Sequence, residues 1–174
     1  MDFTLKKTGF LTSMVMGVLL SQQAAAQSSN PAARYSKTPM GYLIVLRQGD
    51  QVVEELEKFA AAEKIPSASI QGQGFVKVEF GYWNAKTKKF DPKTFEGELS
   101  GLTGSIAWKD GKPSIHAHGV VAGADFVAYA GHILKAQVGT GSLEIFVNVN
   151  DKKLERFVDP AIEANVLSVD GSKK

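Results

Sequence analysis

The three histidines of this chain, His116, His118 and His132, all fall within one window, HAHGVVAGADFVAYAGH. On an extended strand successive side chains alternate faces, so His116 and His118 project to the same side with Cα atoms about 6.5 to 7 Å apart. One divalent metal ion could bridge that gap, and His132, brought back by the following segment, could supply a third ligand. Imidazole nitrogens suit zinc. Because the chain has no cysteine, a thiolate-rich structural site is excluded, and three histidine ligands would leave a fourth position open to water or a carbonyl oxygen. The same spacing also suits half-buried sheet histidines bonded to their neighbours, with His132 beside a turn.

Either reading requires a strand to carry His116 and His118, and PSIHAHGVV reads as one. It returns from FEGELSGLTGSIAW through KDGK, whose Asp110-Gly111 pair is a tight hairpin signal. Further upstream, GYLIVLRQ is a short apolar strand. Gly49 ends it and Asp50 is a candidate N-cap for a helix that buries Val52, Val53, Leu56, Phe59 and Ala60 and stops at Pro66. SASIQGQGFVKVEFGYWN alternates as strand, kink and strand about Gly72 and Gly74, and KTKKFDP is expected to be a loop. A loop or helical turn over 122–129 leads to HILKAQVGTGSLEIFVNV, where Gly139-Thr140-Gly141 predicts a second hairpin. The tail LERFVDPAIEANVLSV predicts edge strands. The expected fold class is α+β, a mostly antiparallel sheet with one packed helix.

The N-terminus reads as an export signal. Lys6 and Lys7 precede the apolar run Gly9 to Leu20, and Ala24-Ala25-Ala26 offers the cleavage site. Residues 1–26 are therefore expected to be removed, 27–39 to form a flexible polar leader, and 40–170 to fold as one domain in the periplasm or outside the cell. The absence of cysteine excludes a disulfide scaffold and a lipid-anchored lipoprotein, so no membrane anchor is expected. Beyond residue 26 there are 18 basic against 17 acidic side chains, which is no nucleic-acid footprint.

DGKPSIHAHGVVAG followed by GHILKAQVGTGSLEIFV resembles the PPC domain, the family conserved between plants and prokaryotes, with its H-x-H strand and later Gly-Gly-His. GDQVVEELEKFAAAEKI, ASIQGQGFVKVEFGYWN and GELSGLTGSIAWKDGKP are similar to the family's helix, glycine-kinked strand pair and Asp-Gly hairpin, in the same order. The likeness runs from Tyr42 to Val147, with Ala130 where the family has the first glycine and Gly97-Glu98 where it has Phe-Glu. It implies a homotrimer and a zinc-type site at His116, His118 and His132. The arginine-rich AT-hook of the plant nuclear members is absent, so DNA binding is not implied. The fold is also similar to that of acetolactate decarboxylase, whose three-histidine centre has a carboxylate nearby; this is an analogy of fold.

Two kinds of function follow. One is metal-dependent chemistry on a small molecule, with Glu98 as candidate acid/base if it reaches the metal. The other is a non-catalytic trimer that uses the metal to hold a small ligand or its own loops. Glu144 and Asp125 are further carboxylates near the histidines in sequence, and both read better as surface or strand-pairing groups.

Overall fold

The computed structural model describes residues 34–170 and contains, in chain order, β1 (Tyr35–Thr38), β2 (Gly41–Arg47), α1 (Val52–Ala62), β3 (Ser67–Asn84), β4 (Lys89–Lys109), β5 (Lys112–Ala122), β6 (Ala128–Asn150), β7 (Glu155–Asp159) and β8 (Ala164–Ser168). The expected export segment, 1–26, lies outside the described residues. The described residues are mainly β with a single helix. Their strands pair antiparallel, apart from one parallel register pair between β4 and β7, Trp108 with Glu155.

The sheet order is β1-β2-β6-β3-β4-β7-β8, and β5 pairs both β4 and β6. Since β6 pairs β3, β3 pairs β4, β4 pairs β5 and β5 pairs β6, these four strands close a ring. Closure demands long, bent strands. β3, β4 and β6 have 18, 21 and 23 residues, far beyond the usual length of about 5–6, and they bend at bulges. The kink expected at Gly72 and Gly74 is there: Gly72 faces Leu102 and Gly74 faces Leu99, so β4 carries an extra residue.

The Gly139-Thr140-Gly141 segment is not a hairpin; it lies inside β6. Between Gly74 and Val76 of β3, β6 runs from Leu143 to Val138, so its surplus residues bulge outward, with Gly141 at φ +93°. Glycines signal a bulge as readily as a turn. The strand continues because its two halves have separate neighbours: β5 pairs its start, and β2 pairs its end. The expected loop KTKKFDP is likewise shortened to the turn 85–88, and Phe90, Asp91 and Pro92 belong to β4. Pro92 is tolerated because this part of β4 pairs only β3, leaving one side that needs no N–H. At the β4–β5 turn, Asp110 and Gly111 have φ +50° and +78°, the two positive values that a type I′ hairpin requires.

α1 packs on β5 and β6, burying Val52, Leu56, Phe59 and Ala60. Asp50 is not its cap. Gln51 holds that position, while the Asp50 carboxylate accepts the Arg47 N–H at 2.7 Å and pairs with Arg34. Tyr35 to Thr38, read from sequence as the end of a leader, form β1 on β2 instead. Their anchor is Tyr35, whose ring meets Phe59 edge-on at 4.9 Å and whose hydroxyl donates to Glu63 at 2.6 Å; Tyr42 donates to the other Glu63 oxygen at 2.8 Å. These bonds hold the Glu63 carboxyl below its ordinary range and both tyrosines above theirs. The apolar strands YLIVL and LEIFV pair with each other, Ile44 opposite Ile145, so their edges need no neighbouring chain.

Candidate metal centre

Alternation along β5 puts His116 and His118 on the exposed face while Ala117 and Gly119 turn inward. His132 on β6 is the register partner of His118. The third ligand expected from a returning loop thus comes from a cross-strand neighbour, the closest approach a sheet offers. One ring nitrogen from each of the three lies within 4.8 Å of the other two, and His116 Nε2 is 3.2 Å from His118 Nε2. The ring centroids are 5.1 to 5.2 Å apart.

Neighbours set the ring planes. Phe90 stacks on His132 with centroids 4.7 Å apart and planes 6° from parallel. Gly81 faces His132 in the register, and a Cβ there would come within 2.8 Å of the Phe90 ring, so glycine leaves room for the stack.

These nitrogens suit a metal by a simple measure. Zinc–nitrogen bonds of about 2.0–2.1 Å at tetrahedral angles put two ligand nitrogens about 3.3 Å apart, and the Nε2 atoms of His116 and His118 stand at 3.2 Å. Among the described residues no fourth histidine or carboxylate joins the group. The cluster opens instead onto a cavity of about 640 Å³ walled by Tyr82, Trp83 and Phe90 on one side and by residues of β7, β8 and their turn on the other.

The carboxylates of the sequence reading lie elsewhere. Glu98 faces Ala122, four residues along β5 from His118, roughly 13 Å at strand rise. With Glu144 it lines a separate, shallower depression of about 320 Å³. Asp125 caps its own turn by accepting the Val127 N–H at 3.1 Å. The geometry gives none of them a path to the histidines. The carboxylate that does line the histidine cavity is Glu163, exposed and ion-paired with Lys88 at 2.5 Å.

Sequence reading missed Arg156, Ser105 and the aromatic wall. Arg156, only 6% exposed, lies on a five-residue strand too short for alternation to mark its inward face. Its one signal was rarity, since it is one of three arginines in the chain.

Burial, then His116 and His118, push His132 down to about 4 from an ordinary 6.5. His116 is also lowered, by burial first and then by Arg156 and His118. In the window between those values the unfolded chain binds the proton and the fold does not, so stability of the metal-free protein falls as pH drops from about 6.5 toward 4. Neutral imidazole is the liganding form, so zinc retention should weaken as pH falls below the imidazole range of about 6.5. Thermal melts and dialysis across pH 4 to 7.5 check both. Zinc retention that stays constant across that range would contradict histidine ligation.

The sequence profile of the Plants and Prokaryotes Conserved (PCC) domain matches residues 33–150. Among solved structures, a Ralstonia eutropha JMP134 protein provisionally designated DNA-binding is 54% identical, with TM-score 0.77, covering 79% of this chain and 96% of its own. A Bacteroides thetaiotaomicron protein with the same provisional designation is 30% identical, TM-score 0.73, covering 78% and 96%. A metal-containing protein of Archaeoglobus fulgidus is 28% identical, TM-score 0.65, covering 72% and 91%. Among proteins with curated descriptions, none matches.

Proposed function

The chain belongs to the Plants and Prokaryotes Conserved domain family, and from that footing we propose that it is a metal-dependent small-molecule protein whose His116, His118 and His132 hold one divalent ion, zinc in first place. The observation that carries this reading is the convergence of three imidazole nitrogens within 4.8 Å at the mouth of a cavity. The metal-containing description of the Archaeoglobus relative supports it. When bound, the ion would polarise a ligand oxygen or acidify a coordinated water. The chain's own residues hold the imidazoles in register, fix His132 against Phe90, and offer an aromatic wall to the carbon skeleton of a ligand.

With Glu98 remote and Glu163 ion-paired with Lys88, no free carboxylate among the described residues stands at the cluster. Metal-assisted chemistry on a small molecule is the first reading, supported by the side of the cluster that opens to the cavity. Ligand holding without turnover is the second. Zinc-loaded, dialysed protein should keep one ion per chain by atomic absorption; substoichiometric retention would return the histidines to ordinary sheet residues.

DNA binding is what the Ralstonia and Bacteroides proteins are provisionally designated for. The near balance of 18 basic and 17 acidic side chains beyond residue 26 does not favour it here, and we assign no nucleic-acid partner. No helix among the described residues is long and apolar enough to cross a membrane.

Export and trimer formation complete the proposal. They rest on the N-terminal lysine, apolar and alanine segments and on exposed Phe126, Val127 and Tyr129 near the start of β6. Protein recovered from the periplasm should begin at or near Gln27 and scatter light as a trimer. Full-length chain in the cytoplasm, or a clean monomer at micromolar concentration, would overturn the respective half.

A further inference from the structure

Arg156 of β7 stands beyond the residues that the family profile spans. It is 6% exposed, its Nη2 donates to Ser105 Oγ at 2.7 Å, and its Nε–H is buried without an acceptor. No carboxylate among the described residues pairs with it. A guanidinium presents five N–H donors in a plane, so a single serine oxygen leaves most of the fork unanswered. A buried cation in that condition is costly unless something else satisfies it.

The location says what that something is near. Arg156 lines the histidine cavity. Its partner Ser105 sits directly opposite His116 across β4 and β5, and opposed residues share a face with Cβ atoms about 5 Å apart. The guanidinium therefore ends one side chain away from the cluster. Of the cavity's other charged liners, Glu163 is ion-paired with Lys88, and Lys109 donates to the neutral Asn165 side chain at 2.7 Å.

We propose that Arg156 is the anion-recognising residue of the histidine cavity and that the cavity's ligand is a small carboxylic acid held by the guanidinium fork. A carboxylate is planar and accepts two parallel N–H bonds, and one negative charge answers one unpaired cation. The walls of Tyr82, Trp83 and Phe90 suit its carbon skeleton. Phosphate shares the fork chemistry, and competition between the two anions distinguishes them. This deepens the metal-site reading and rests on it for the group next to the carboxylate; the arginine subsite rests on its own contacts.

The test uses the full chain without metal, labelled with ¹⁵N, at pH 7.5 and low salt, titrated with sodium acetate while the Arg156 Nε–H resonance in the parent, and the backbone amides of Ser114, Gly131 and Asn165 around the cavity in parent and variants alike, are followed. A saturable shift with Kd on the order of millimolar is expected. Arg156→Lys, which keeps the charge and loses the fork, should weaken binding at least about tenfold. Arg156→Met should abolish it, while both variants still retain zinc like the parent. No saturable shift up to about 100 mM acetate, well above that expected Kd, would overturn the proposal. So would undiminished affinity in a folded Lys or Met variant, and so would inorganic phosphate displacing acetate at equal concentration. Acetate bound through Arg156 in a chain that holds no zinc would sink the metal reading alone.

Discussion

Replacing His132 by alanine is expected to strip the protein of metal. Zinc affinity should fall by at least about 100-fold, the upper end of what losing even an outer-shell partner costs a metal site, and retained zinc after dialysis should drop from one per chain to near none. His116→Ala and His118→Ala should do the same, because each imidazole nitrogen stands within 4.8 Å of the other two. Glu98→Gln, Glu144→Gln and Asp125→Ala should leave retention unchanged, since all three carboxylates point their chemistry elsewhere. Circular dichroism on each variant separates lost ligand from lost fold. His132→Ala holding zinc undiminished would show that the three side chains are neighbours and nothing more.

The second large effect concerns a residue with no chemistry of its own. Gly104 of β4 faces Ala117 of β5, the residue between His116 and His118. A Cβ on Gly104 would lie 2.3 Å from the His116 carbonyl oxygen and 2.9 Å from Ala117 Cα. Both are backbone atoms, so an alanine there must displace the very strand that carries two of the three imidazoles. Gly104→Ala should cost about 3 kcal/mol, the upper range for overpacking, and lower the melting temperature by roughly 10 °C. It should weaken zinc retention as well. Gly101→Ala is the control: nothing lies within 4 Å of a Cβ at Gly101, and its melt should match the parent. A Gly104→Ala protein with parental stability and zinc content would mean that β5 is free to shift.

Sequence carried the histidine geometry well because strand alternation is a local rule: two residues apart means one face, and His116 and His118 obey it. The Asp110-Gly111 turn and the helix at α1 were legible for the same reason, as each is decided within a few residues. What failed was long-range. Gly139-Thr140-Gly141 looks like a turn until β2 and β5 are known to pair opposite ends of β6. Tyr35 looks like part of a polar leader until Glu63 and Phe59 are brought beside it. Glu98 was a fair candidate in sequence, and only the register shows it four residues along β5 from His118. Arg156 had no local signature at all, because its significance comes from a partner on β4.

The β7–β8 hairpin joins the ring through one register pair, Trp108 with Glu155, and the Trp108 N–H to Leu154 carbonyl bond at 2.9 Å. Beyond these, side-chain links such as Arg156 to Ser105 and Lys109 to Asn165 hold it down. The four ring strands are locked by ladders on both sides along much of their length. Elements so unequally attached open as separate cooperative units, the weaker at lower free energy. The histidines belong to the ring and the arginine to the hairpin, so the cavity can admit a molecule by releasing its wall while the imidazoles stay in register. An occupant that touches both would join the two units thermodynamically, and the amides of residues 155–168 would gain protection from solvent exchange that the ring amides, already protected, would not.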